Sequence, residues 1–450
     1  MGAGGIGVSA LIRLAMQQGA MVSGCDLVSN KITQTLSQLN VPVEIGHSPD
    51  HIKELDLLVY SSAVAKNNLE MQFAHEMGVE CISRSQMLTR LQIGSKTIGI
   101  TGSHGKTSTT NILSHILIES AIDVSVAVGG ISEVLGNKNF KLGSSEWFVS
   151  ELDESDGSML DAECFVGVLT NIDKEHIDYY GSMNDLVDAF SRFCENINKE
   201  GCLVINFDDI YCQKIISRIS SNIKIITYGL HENADYRIVD EKTNNFSSMF
   251  ELSFHGKSKQ VSIPLAGVHN AMNTVAALIV AEQVGVQMDP GINSLVSYRR
   301  IRRRLDILYK EGPIVIDDYS HHPTEIEVVL KACRESVSSR IVAIFQAHRY
   351  SRLQSLWPEF VDALSSVDEL ILTDIYSANE KPLEGITVDK LAKAILDNSS
   401  IKVQYIPDFD NIVDYINSTF QTTDLIISLG AGDVNYITKK IAKILKSNDS

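Results

Sequence analysis

Residues 98–110 read IGITGSHGKTSTT, and this stretch decides the fold of the chain around it. A run of β-branched residues ends in two glycines, a lysine and a series of hydroxyl side chains. The end of the stretch matches the phosphate-loop pattern G-x-x-x-x-G-K-[ST], but Ile100 stands where that pattern has its first glycine. The spacing predicts a buried strand over 96–101, a tight turn, and a helix over 107–119.

The turn between strand and helix is suited to an anion. Gly102 and Gly105 lack a Cβ, so the backbone can bend sharply and present N–H groups to an oxyanion at the positive end of a helix. Lys106 can reach terminal phosphates, and the hydroxyl of Thr107 is placed to coordinate magnesium. The alternative is a structural turn with a chance lysine, but strand, glycines, Gly-Lys-Thr and helix in register favour ATP. The predicted ATP-binding residues are Gly102, Ser103, His104, Gly105, Lys106, Thr107 and Ser108.

The composition excludes several classes of protein. Hydrophobic residues make up 44% and charged residues 21%, which allows ordinary soluble cores. The 39 basic and 56 acidic residues give a net charge of -17, the wrong sign for a nucleic-acid binder, so we expect small anionic ligands. Seven cysteines without a C-x-x-C pair favour reduced thiols and a cytoplasmic location. No apolar run approaches the roughly 18 residues that span a membrane, so we expect no membrane insertion.

Short apolar runs alternate with amphipathic stretches along the whole chain, which is typical of α/β domains with largely parallel sheets. We expect three domains: a Rossmann-like domain at 1–95, a central P-loop ATPase-type α/β domain at 96–298, and a C-terminal Rossmann-like α/β domain at 299–450. Further predicted strands are 21–25, 57–61, 147–152, 165–170, 313–318, 341–345, 369–373 and 424–429, and further predicted helices are 8–18 and 269–284.

Two polar segments follow predicted strands that could flank the loop. Residues 149–158 read VSELDESDGS, and residues 169–178 read LTNIDKEHID. Ligands bind at the carboxyl ends of strands in open α/β sheets, and carboxylate oxygens suit magnesium. A solvated acidic loop is the alternative for either segment alone, but both together favour a metal site.

The loop and these segments resemble the Mur ligase and folylpolyglutamate synthase superfamily. Mur ligases have T-G-T-x-G-K-[ST], then E-A-D-E-S-D and T-N-I-x-x-D-H. They form amide bonds: ATP phosphorylates a carboxylate, and an amine displaces phosphate from the acyl phosphate. The resemblance implies that Glu151 and His176 bind magnesium with Thr107, although magnesium prefers oxygen and chemistry alone would not suggest His176. Candidates for a supporting shell are Asp153, Glu154 and Asp156.

Residues 266–274, AGVHNAMNT, open the long predicted helix of the central domain. His269 and Asn273 lie four residues apart and so share a helix face. By themselves they suit helix caps. The family has G-x-H-N-x-x-N at this point, which implies that the two side chains contact adenine.

Five arginines in six residues, at 299–304, mark the joint before the third domain. They form either a solvated linker or a site where a guanidinium meets phosphates once ATP brings the domains together. The family has R-R-F here, so Arg303 and Arg304 match, and Leu305 stands in place of phenylalanine. Arg300 replaces a common glycine.

Two further segments follow successive strands of the third domain. Residues 317–325 read DDYSHHPTE, and residues 345–352 read FQAHRYSR. His322 and Pro323 would also suit a helix start. The segments closely resemble D-D-Y-G-H-H-P-T-E and F-Q-P-H-R-Y-[ST]-R of the family members that add L-alanine, with Ser320 and Ala347 as departures. The residues implied around the incoming L-alanine are Tyr319, His321, Arg349 and Arg352.

The chain begins MGAGGIGVSA, in which Gly2, Gly4 and Gly7 fit a dinucleotide fingerprint and Asp26 ends the next strand. Only Met1 precedes the glycines, which makes this weak support for NAD. Mur ligases have V-G-I-G-G-x-G-M-S here and use it for the UDP part of their sugar substrate. We expect the first strand of this domain to lie upstream of Met1. The implied substrate contacts are Gly2, Gly4, Gly5, Gly7, Ser23, Asp26 and His47, and Ser61 and Ser62 also match the family pattern.

The resemblance covers nearly the whole chain. It implies ATP- and Mg²⁺-dependent ligation of L-alanine to the lactyl carboxylate of UDP-N-acetylmuramate, in peptidoglycan synthesis, cell wall biogenesis, cell shape and cell division. The implied catalytic residues are Lys106, Arg304 and His321, in a monomer or homodimer. Alternatives are a relative that adds a tripeptide to the same sugar nucleotide, a nicotinamide-dependent oxidoreductase and a regulatory ATP-binding protein. The stretch HRYSR favours L-alanine, and an oxidoreductase would leave the phosphate loop unexplained.

Overall fold

The computed structural model describes residues 1–448 apart from 62, 66, 156, 220 and 221. Asp156 and Ser62, both singled out from the sequence, therefore lie outside the described residues. None of the helices in the described chain combines the length and apolar character that crossing a bilayer requires. Contacts divide the chain into two compact units, the first made of residues 1–239, 252–259 and 272–299 and the second of residues 240–251, 260–271 and 300 onward.

Residues 1–95 fold into two small parallel sheets and short helices. Two of these helices begin at capping boxes, one formed by Asn30 and Thr33 and the other by Ser83 and Gln86. Because these side chains satisfy N–H groups that the helix leaves open, each helix begins at a defined residue. The elements are α1 (Ile6–Gln17), β1 (Gly24–Asp26), α2 (Lys31–Gln38), β2 (Val43–Ile45), a 3₁₀ turn (Pro49–Ile52), β3 (Leu57–Tyr60), α3 (Leu69–Glu76), β4 (Glu80–Ser83) and α4 (Arg84–Leu91).

A ten-stranded sheet occupies the middle of the chain. Its elements are β5 (Lys96–Thr101), α5 (Lys106–Glu119), β6 (Ser125–Ser132), β7 (Lys138–Lys141), β8 (Trp147–Glu151), β9 (Val166–Leu169), α6 (Ile177–Tyr180), α7 (Met183–Glu195), β10 (Cys202–Asn206), α8 (Ile210–Arg218), β11 (Lys224–Gly229), β12 (Tyr236–Asn244), β13 (Ser247–Phe254), β14 (Lys257–Ile263), α9 (Val268–Gln283) and α10 (Met288–Ser294), with 3₁₀ turns at Ser158–Asp161 and Leu295–Ser297.

The strand order β14-β13-β12-β11-β10-β9-β5-β8-β6-β7 places β5 between β9 and β8, and both pairings are parallel. Every residue of β5 after Lys96 is buried, and α5 is buried over residues 109–117. Such burial is typical of a parallel sheet covered on both faces. The carboxyl ends of β5, β8 and β9 therefore meet at one edge, which brings the loop and the two acidic segments together as the sequence predicted.

The last third of the chain forms a six-stranded sheet in the order β15-β16-β20-β17-β18-β19, with β15 antiparallel to its neighbour. Alternate residues of the fully buried strand at 341–345 enter two different cores, because successive side chains point to opposite faces. The elements are β15 (Asp306–Tyr309), β16 (Ile314–Asp318), α11 (Pro323–Ser336), β17 (Ile341–Phe345), α12 (Tyr350–Ser355), α13 (Trp357–Leu364), β18 (Glu369–Leu372), α14 (Val388–Asn398), β19 (Lys402–Tyr405), α15 (Phe409–Thr419), β20 (Leu425–Leu429) and α16 (Asn435–Asn448).

Most predicted elements are present, with ends shifted by one or two residues. The strand predicted at 21–25 is wrong in its first half: Met21 is fully exposed, and β1 starts only at Gly24, which pairs with Val43. The sequence patterns also did not predict β12, β13 and β14 at the edge of the ten-stranded sheet. Buried residues alternate along much of these strands, which is the period of a half-buried strand.

Candidate active site

The loop between β5 and α5 turns at two glycines. The backbone angle φ is +127° at Gly102 and +84° at Gly105, a range that residues with a side chain rarely adopt. A Cβ at Gly102 would lie 2.1 Å from Oγ1 of Thr170, and a Cβ at Gly105 would lie 2.5 Å from Oδ1 of Asn273. Both positions therefore require glycine for conformation and for space. Since the N-cap of α5 is itself a glycine, the first N–H groups of the helix face the loop without a capping side chain.

The segment after β9 holds this loop from one side. The N–H groups of Ser103 and His104 donate to the carbonyl and the side-chain oxygen of Asn171, both at 2.9 Å. The carbonyl of His104 accepts from Thr170 Oγ1 at 2.6 Å and from Asn171 Nδ2 at 3.0 Å. His104 Nε2 lies 2.9 Å from Oδ2 of Asp173. The conformation of the loop thus depends on the TNID segment as well as on its own glycines.

The Lys106 side chain folds back over the loop. Its ammonium donates to the carbonyl oxygens of Gly102 and Ser103 and forms an ion pair with Glu154 at 2.8 Å. Burial acts to lower the pKa of Lys106, but the neighbouring carboxylates, Glu154 foremost, outweigh it and raise that pKa. Lys106 is therefore a stable cation at the phosphate loop.

Thr107 and Glu151 meet at the edge where β5 and β8 end. The hydroxyl of Thr107 donates to Oε1 of Glu151 at 2.8 Å, and the N–H of Gly129 donates to Oε2 at 2.6 Å. A Cβ at residue 129 would lie 2.7 Å from Oε1. Two hard oxygen donors are thus held side by side next to the loop.

His176 joins a second group of potential ligands. It adopts a left-handed backbone with φ of +55°, and its Nε2 lies 3.8 Å from Oε1 of Glu154. Donor atoms of Glu154, Glu175 and His176 all lie within 4.8 Å of one another. Burial raises the pKa of Glu154 to about 7, against the attraction of Lys106. This carboxylate is therefore shared between a lysine and the group around His176.

Asn273, in α9, packs against the loop itself. It is buried, and its Oδ1 accepts from Thr109 Oγ1 at 3.2 Å. Ser108 lies half-buried in the first turn of α5. The amide of Asn273 therefore supports the loop near Gly105.

The N-terminal glycines form a second turn, beside β1. The N–H of Gly4 donates to Oδ2 of Asp26 at 2.8 Å, and its carbonyl accepts from Asn30 Nδ2 at 3.1 Å. A Cβ at Gly7 would lie 2.9 Å from Cδ of Arg84, the first residue of α4. The guanidinium of Arg84 lies beside this turn, which gives the turn a positive neighbour.

The remaining residues predicted to bind the sugar nucleotide are placed around that turn. The N–H of Gly2 donates to the main chain of β1 at 2.9 Å, and the N–H of Gly5 donates to the carbonyl of Gly2 at 3.0 Å. Ser23 is exposed. His47 directs Nδ1 at Glu70, 2.8 Å from Oε2, so this nitrogen contacts the protein interior.

In the second unit, Tyr319 and His321 follow β16. The guanidinium carbons of Arg303 and Arg304 lie 4.8 and 5.4 Å from the centre of the Tyr319 ring, a cation–π arrangement. Arg304 also contacts Glu325 at 3.4 Å. His321 Nδ1 lies 3.1 Å from the carbonyl oxygen of Tyr319, and the N–H of His321 donates to Glu325.

Arg349 and Arg352 flank the start of α12, after β17. Arg349 has φ of +72°, and its Nε lies 3.3 Å from Glu380. Arg352 Nη1 lies 3.4 Å from Nδ1 of His348, whose ring stacks on Tyr376 at 5.4 Å. Burial and then the two arginines lower the pKa of His348 to about 4, so this imidazole is neutral near pH 7.

Two other predicted residues of this unit, His269 and Arg303, lie within hydrogen-bond distance of neighbouring protein groups. Burial, helped by Arg304, lowers the pKa of His269 to about 4, and its Nε2 lies 3.0 Å from Asn270 Nδ2. Arg303 donates to the carbonyls of Gly430 and Ala431. Arg303 thereby ties the arginine-rich joint to the end of β20.

Three family models match the chain in order. The Mur ligase family catalytic domain matches residues 1–94, the Mur ligase middle domain matches 100–281, and the Mur ligase glutamate ligase domain matches 303–432. The UDP-N-acetylmuramate–L-alanine ligase of Syntrophus aciditrophicus (strain SB) is 37% identical over 448 residues, which cover 99% of this chain and 93% of the relative. The chain belongs to the Mur ligase family. The corresponding ligase of Sulfurihydrogenibium sp. (strain YO3AOP1) is 35% identical, covering 100% of this Mur ligase and 98% of the relative.

Solved structures show the same three-domain fold. The UDP-N-acetylmuramate–alanine ligase of Thermotoga maritima has a TM-score of 0.83 at 24% identity, covering 99% of this Mur ligase and 98% of that chain. A murein peptide ligase of Psychrobacter arcticus has a TM-score of 0.71 at 20% identity, covering 99% and 97%. The α/β class and the three-domain organisation predicted from the sequence are confirmed.

This Mur ligase brings several predicted residues together. Thr107 and Glu151 are in contact, Lys106 lies on the loop, and Asn273 packs against it. The group that includes His176 contains Glu154, which had been expected only in a supporting shell.

Sequence reasoning did not single out several side chains that shape the site. Their signal was present in the quoted motifs, where each is a polar residue directly after a strand or beside a predicted ligand. They are Asn171, Asp173, Glu175, Glu325 and His348, together with Arg84 and Glu380 outside those motifs.

Proposed function

We propose that this Mur ligase joins L-alanine to the lactyl carboxylate of UDP-N-acetylmuramate, using ATP and an acyl-phosphate intermediate, in peptidoglycan synthesis. The observation that carries the proposal is its similarity along almost the full length to UDP-N-acetylmuramate–L-alanine ligases. The geometry supports it, because a loop suited to phosphate stands beside a pair of oxygen ligands. All seven cysteines are free thiols, which suits a reducing compartment, so we propose the cytoplasm as its location.

We assign the ATP phosphates to the loop after β5. Its two left-handed glycines and the N-terminus of α5 present main-chain N–H groups, which suit phosphate oxygens. In this assignment the ammonium of Lys106 leaves the carbonyl oxygens of Gly102 and Ser103 and binds the terminal phosphates of ATP instead. We assign adenine to the region of α9 that holds His269 and Asn273. The remaining loop residues in the assignment are His104, Gly105, Thr107 and Ser108.

The oxygen donors near the loop fit magnesium. Thr107 Oγ1 and Glu151 Oε1 are already adjacent, and magnesium favours such hard ligands. We propose these two residues and His176 as its ligands. A bound magnesium would neutralise charge that develops on the phosphoryl group during transfer. Glu151 is oriented for this role by the N–H of Gly129.

The positive side chains are proposed to stabilise phosphoryl transfer. Lys106 stands at the loop, and Arg304 lies in the arginine-rich joint, where Tyr319 and Glu325 hold its guanidinium. Preorganised cations lower the barrier because they do not need to reorient as charge develops. The lactyl carboxylate attacks the γ-phosphorus, ADP leaves, and the acyl phosphate forms.

We assign the incoming amino acid to the residues after β16 and β17. Arg349 and Arg352 suit its carboxylate, since guanidinium groups pair well with carboxylates. In the tautomer in which the Nδ1–H of His321 donates a hydrogen bond to the carbonyl of Tyr319, the Nε2 atom has a free lone pair. We propose that Nε2 takes a proton from the alanine amine as this amine displaces phosphate.

The sugar nucleotide is assigned to the turn beside β1. Main-chain N–H groups of the glycines suit its phosphates, and Arg84 adds positive charge next to Gly7. The residues proposed to contact the UDP part are Gly2, Gly4, Gly5, Gly7, Ser23, Asp26 and His47.

One assay separates this function from its alternatives. Phosphate release from ATP is measured with UDP-N-acetylmuramate alone and with L-alanine, glycine, L-serine or the tripeptide added. We expect release that requires both the sugar nucleotide and L-alanine. Greater release with the tripeptide would replace the L-alanine assignment. ATP binding without release under any combination would indicate a regulatory protein instead.

A further inference from the structure

Four side chains that commonly ligate metals converge in the N-terminal part of the first unit. They come from β1, the segment after β2, the 3₁₀ turn at 49–52 and the first turn of α3. Glu70 is fully buried, and Cys25 is 5% exposed. Donor atoms of Cys25, His51 and Glu70 all lie within 4.8 Å of one another, and His47 completes the cluster.

The carboxylate of Glu70 contacts each of the other three donors. His47 Nδ1 lies 2.8 Å from one carboxylate oxygen of Glu70, and His51 Nδ1 lies 2.5 Å from the other. Cys25 Sγ lies 3.1 Å from Glu70 Oε2 and 3.7 Å from His47 Nδ1. In a tetrahedral zinc site, bond lengths of about 2.0–2.3 Å place neighbouring donors about 3.3–3.8 Å apart. The separations of Cys25 from His47 and from Glu70 are close to those values, and the two contacts between Glu70 and the histidines would lengthen to admit an ion.

The donor set also selects the kind of ion. A thiolate and two imidazoles favour zinc and similar transition metals, whereas magnesium favours an all-oxygen shell. With protons in place of a metal, the thiol and the imidazoles donate hydrogen bonds to Glu70. Metal binding would release the thiol proton to solvent, and each neutral imidazole would carry its proton on Nε2 so that Nδ1 is free to bind the metal.

We propose that Cys25, His47, His51 and Glu70 bind one zinc ion in a closed structural site. The carbonyl of Cys25 accepts hydrogen bonds from the N–H groups at positions 2 and 3, at 2.9 and 3.1 Å. The next residue, Asp26, binds the N–H of Gly4. The ion would thus fix the strand that holds the N-terminal glycine turn, and this role does not depend on the proposed ligase reaction.

Zinc retention by the full-length protein tests the site directly. The protein is stripped with a chelator, equilibrated with zinc, desalted and analysed for bound metal. We expect one zinc per chain and a higher unfolding temperature with zinc. Cys25→Ser and His51→Gln should each weaken zinc binding at least about 100-fold, since even residues that only support ligands contribute 10- to 100-fold. Cys81→Ser, a half-buried thiol packed against the same core but outside the cluster, should bind zinc normally.

Cobalt(II) provides a second measurement that distinguishes this site from the magnesium ligands. Cobalt bound to the wild type should show a thiolate charge-transfer absorption band, and this band should be missing in Cys25→Ser. Circular dichroism checks that each variant is folded, and His51→Gln replaces Cys25→Ser if the latter is not. Failure of folded wild type to retain zinc, equal zinc binding by the cysteine variant, or cobalt binding without the band would each overturn the proposal.

Discussion

At the scale of single residues, the candidate site is organised by where buried charges find partners. Lys106 is 14% exposed and Glu154 is 2% exposed, so each needs the other's charge. The ammonium also uses two loop carbonyls as acceptors. A ligand phosphate would offer this ammonium a stronger partner than those neutral oxygens, because hydrogen bonds between charged groups are the strong ones.

Replacing Lys106 by alanine should abolish most acyl-phosphate formation. Loss of a preorganised positive donor costs about 10²- to 10³-fold in rate. The measurement is phosphate release from ATP in the presence of UDP-N-acetylmuramate and L-alanine. Lys174→Ala, an exposed lysine between the two acidic residues 173 and 175, is the control and should leave the rate unchanged. Near-normal ligation by Lys106→Ala would refute the proposed role.

Replacing Glu151 by glutamine should raise the magnesium concentration needed for half-maximal rate. The amide keeps the shape of the side chain but loses the charged oxygen next to Thr107, and we expect a shift of about 10- to 100-fold. Phosphate release is measured across a magnesium titration. Glu146→Gln, which alters an exposed ion pair with Lys96, serves as the control. An unchanged magnesium requirement in Glu151→Gln would remove this residue from the metal site.

At the scale of elements, the site is a consequence of three parallel strands that end at one edge. β5 lies between β8 and β9, so the loop after β5 meets the segments that follow its two neighbours. Asn171 then joins the loop by bonding the N–H and the carbonyl of His104. The geometry of the loop is therefore shared between elements that are far apart in sequence.

Gly105→Ala should disrupt this loop for two reasons, the left-handed backbone at this position and a steric clash. The left-handed backbone costs an alanine about 1–2 kcal/mol, and the new Cβ would also meet Asn273 at 2.5 Å. Gly136 has φ of +67° with open space around its added Cβ, so Gly136→Ala carries only the first cost. We expect nucleotide binding, measured by titration calorimetry, to be lost in Gly105→Ala and kept in Gly136→Ala. Equal binding by both variants would contradict the assignment of the loop.

At the scale of the whole molecule, each unit keeps titratable groups inside its folded structure. In the second unit, burial lowers the pKa values of His269 and His348 to about 4. The reference pKa of histidine is about 6.5. Between pH 6.5 and pH 4 these two side chains are therefore protonated in the unfolded chain but neutral in the folded one. The stability that the two neutral histidines contribute above pH 6.5 is lost as the pH falls toward 4.

His348→Gln should make the free energy of unfolding depend less on pH. We expect the wild type to lose more unfolding free energy than the variant between pH 6.5 and pH 4.5, because the variant lacks one of the two groups. Urea midpoints followed by circular dichroism measure the difference. His75→Gln, an exposed histidine in α3, is the control and should keep the wild-type slope. Parallel curves for wild type and His348→Gln would contradict the burial argument.

Much of the fold followed from local patterns in the sequence. The run over 96–101 is a strand and the run over 341–345 is another, because continuous apolar residues of that length suit strands buried on both faces. The strand predicted at 21–25 was misplaced, since Met21 is apolar but exposed and pairing with β2 begins only at Gly24. Pairing, which is not a local property, decides where a short strand begins.

The candidate site was predicted in part. Lys106 and Thr107 could be identified because their motif places them at a helix N-terminus whatever the rest of the chain does. The contacts of Glu154 with Lys106, and of Asp173 with His104, join residues 48 and 69 positions apart. Acidic clusters in a sequence do not reveal which member will face a lysine.

By itself, the sequence determined which segments become strands, helices and anion-binding turns, because these depend on side chains a few residues apart. It also carried the motifs that place this chain among Mur ligases. Only the tertiary structure decided that Glu70 contacts two histidines and a cysteine, and that Arg303 donates hydrogen bonds to the carbonyls after β20. The physical reason is that burial and partner choice arise when distant segments pack, and no local pattern contains those distances.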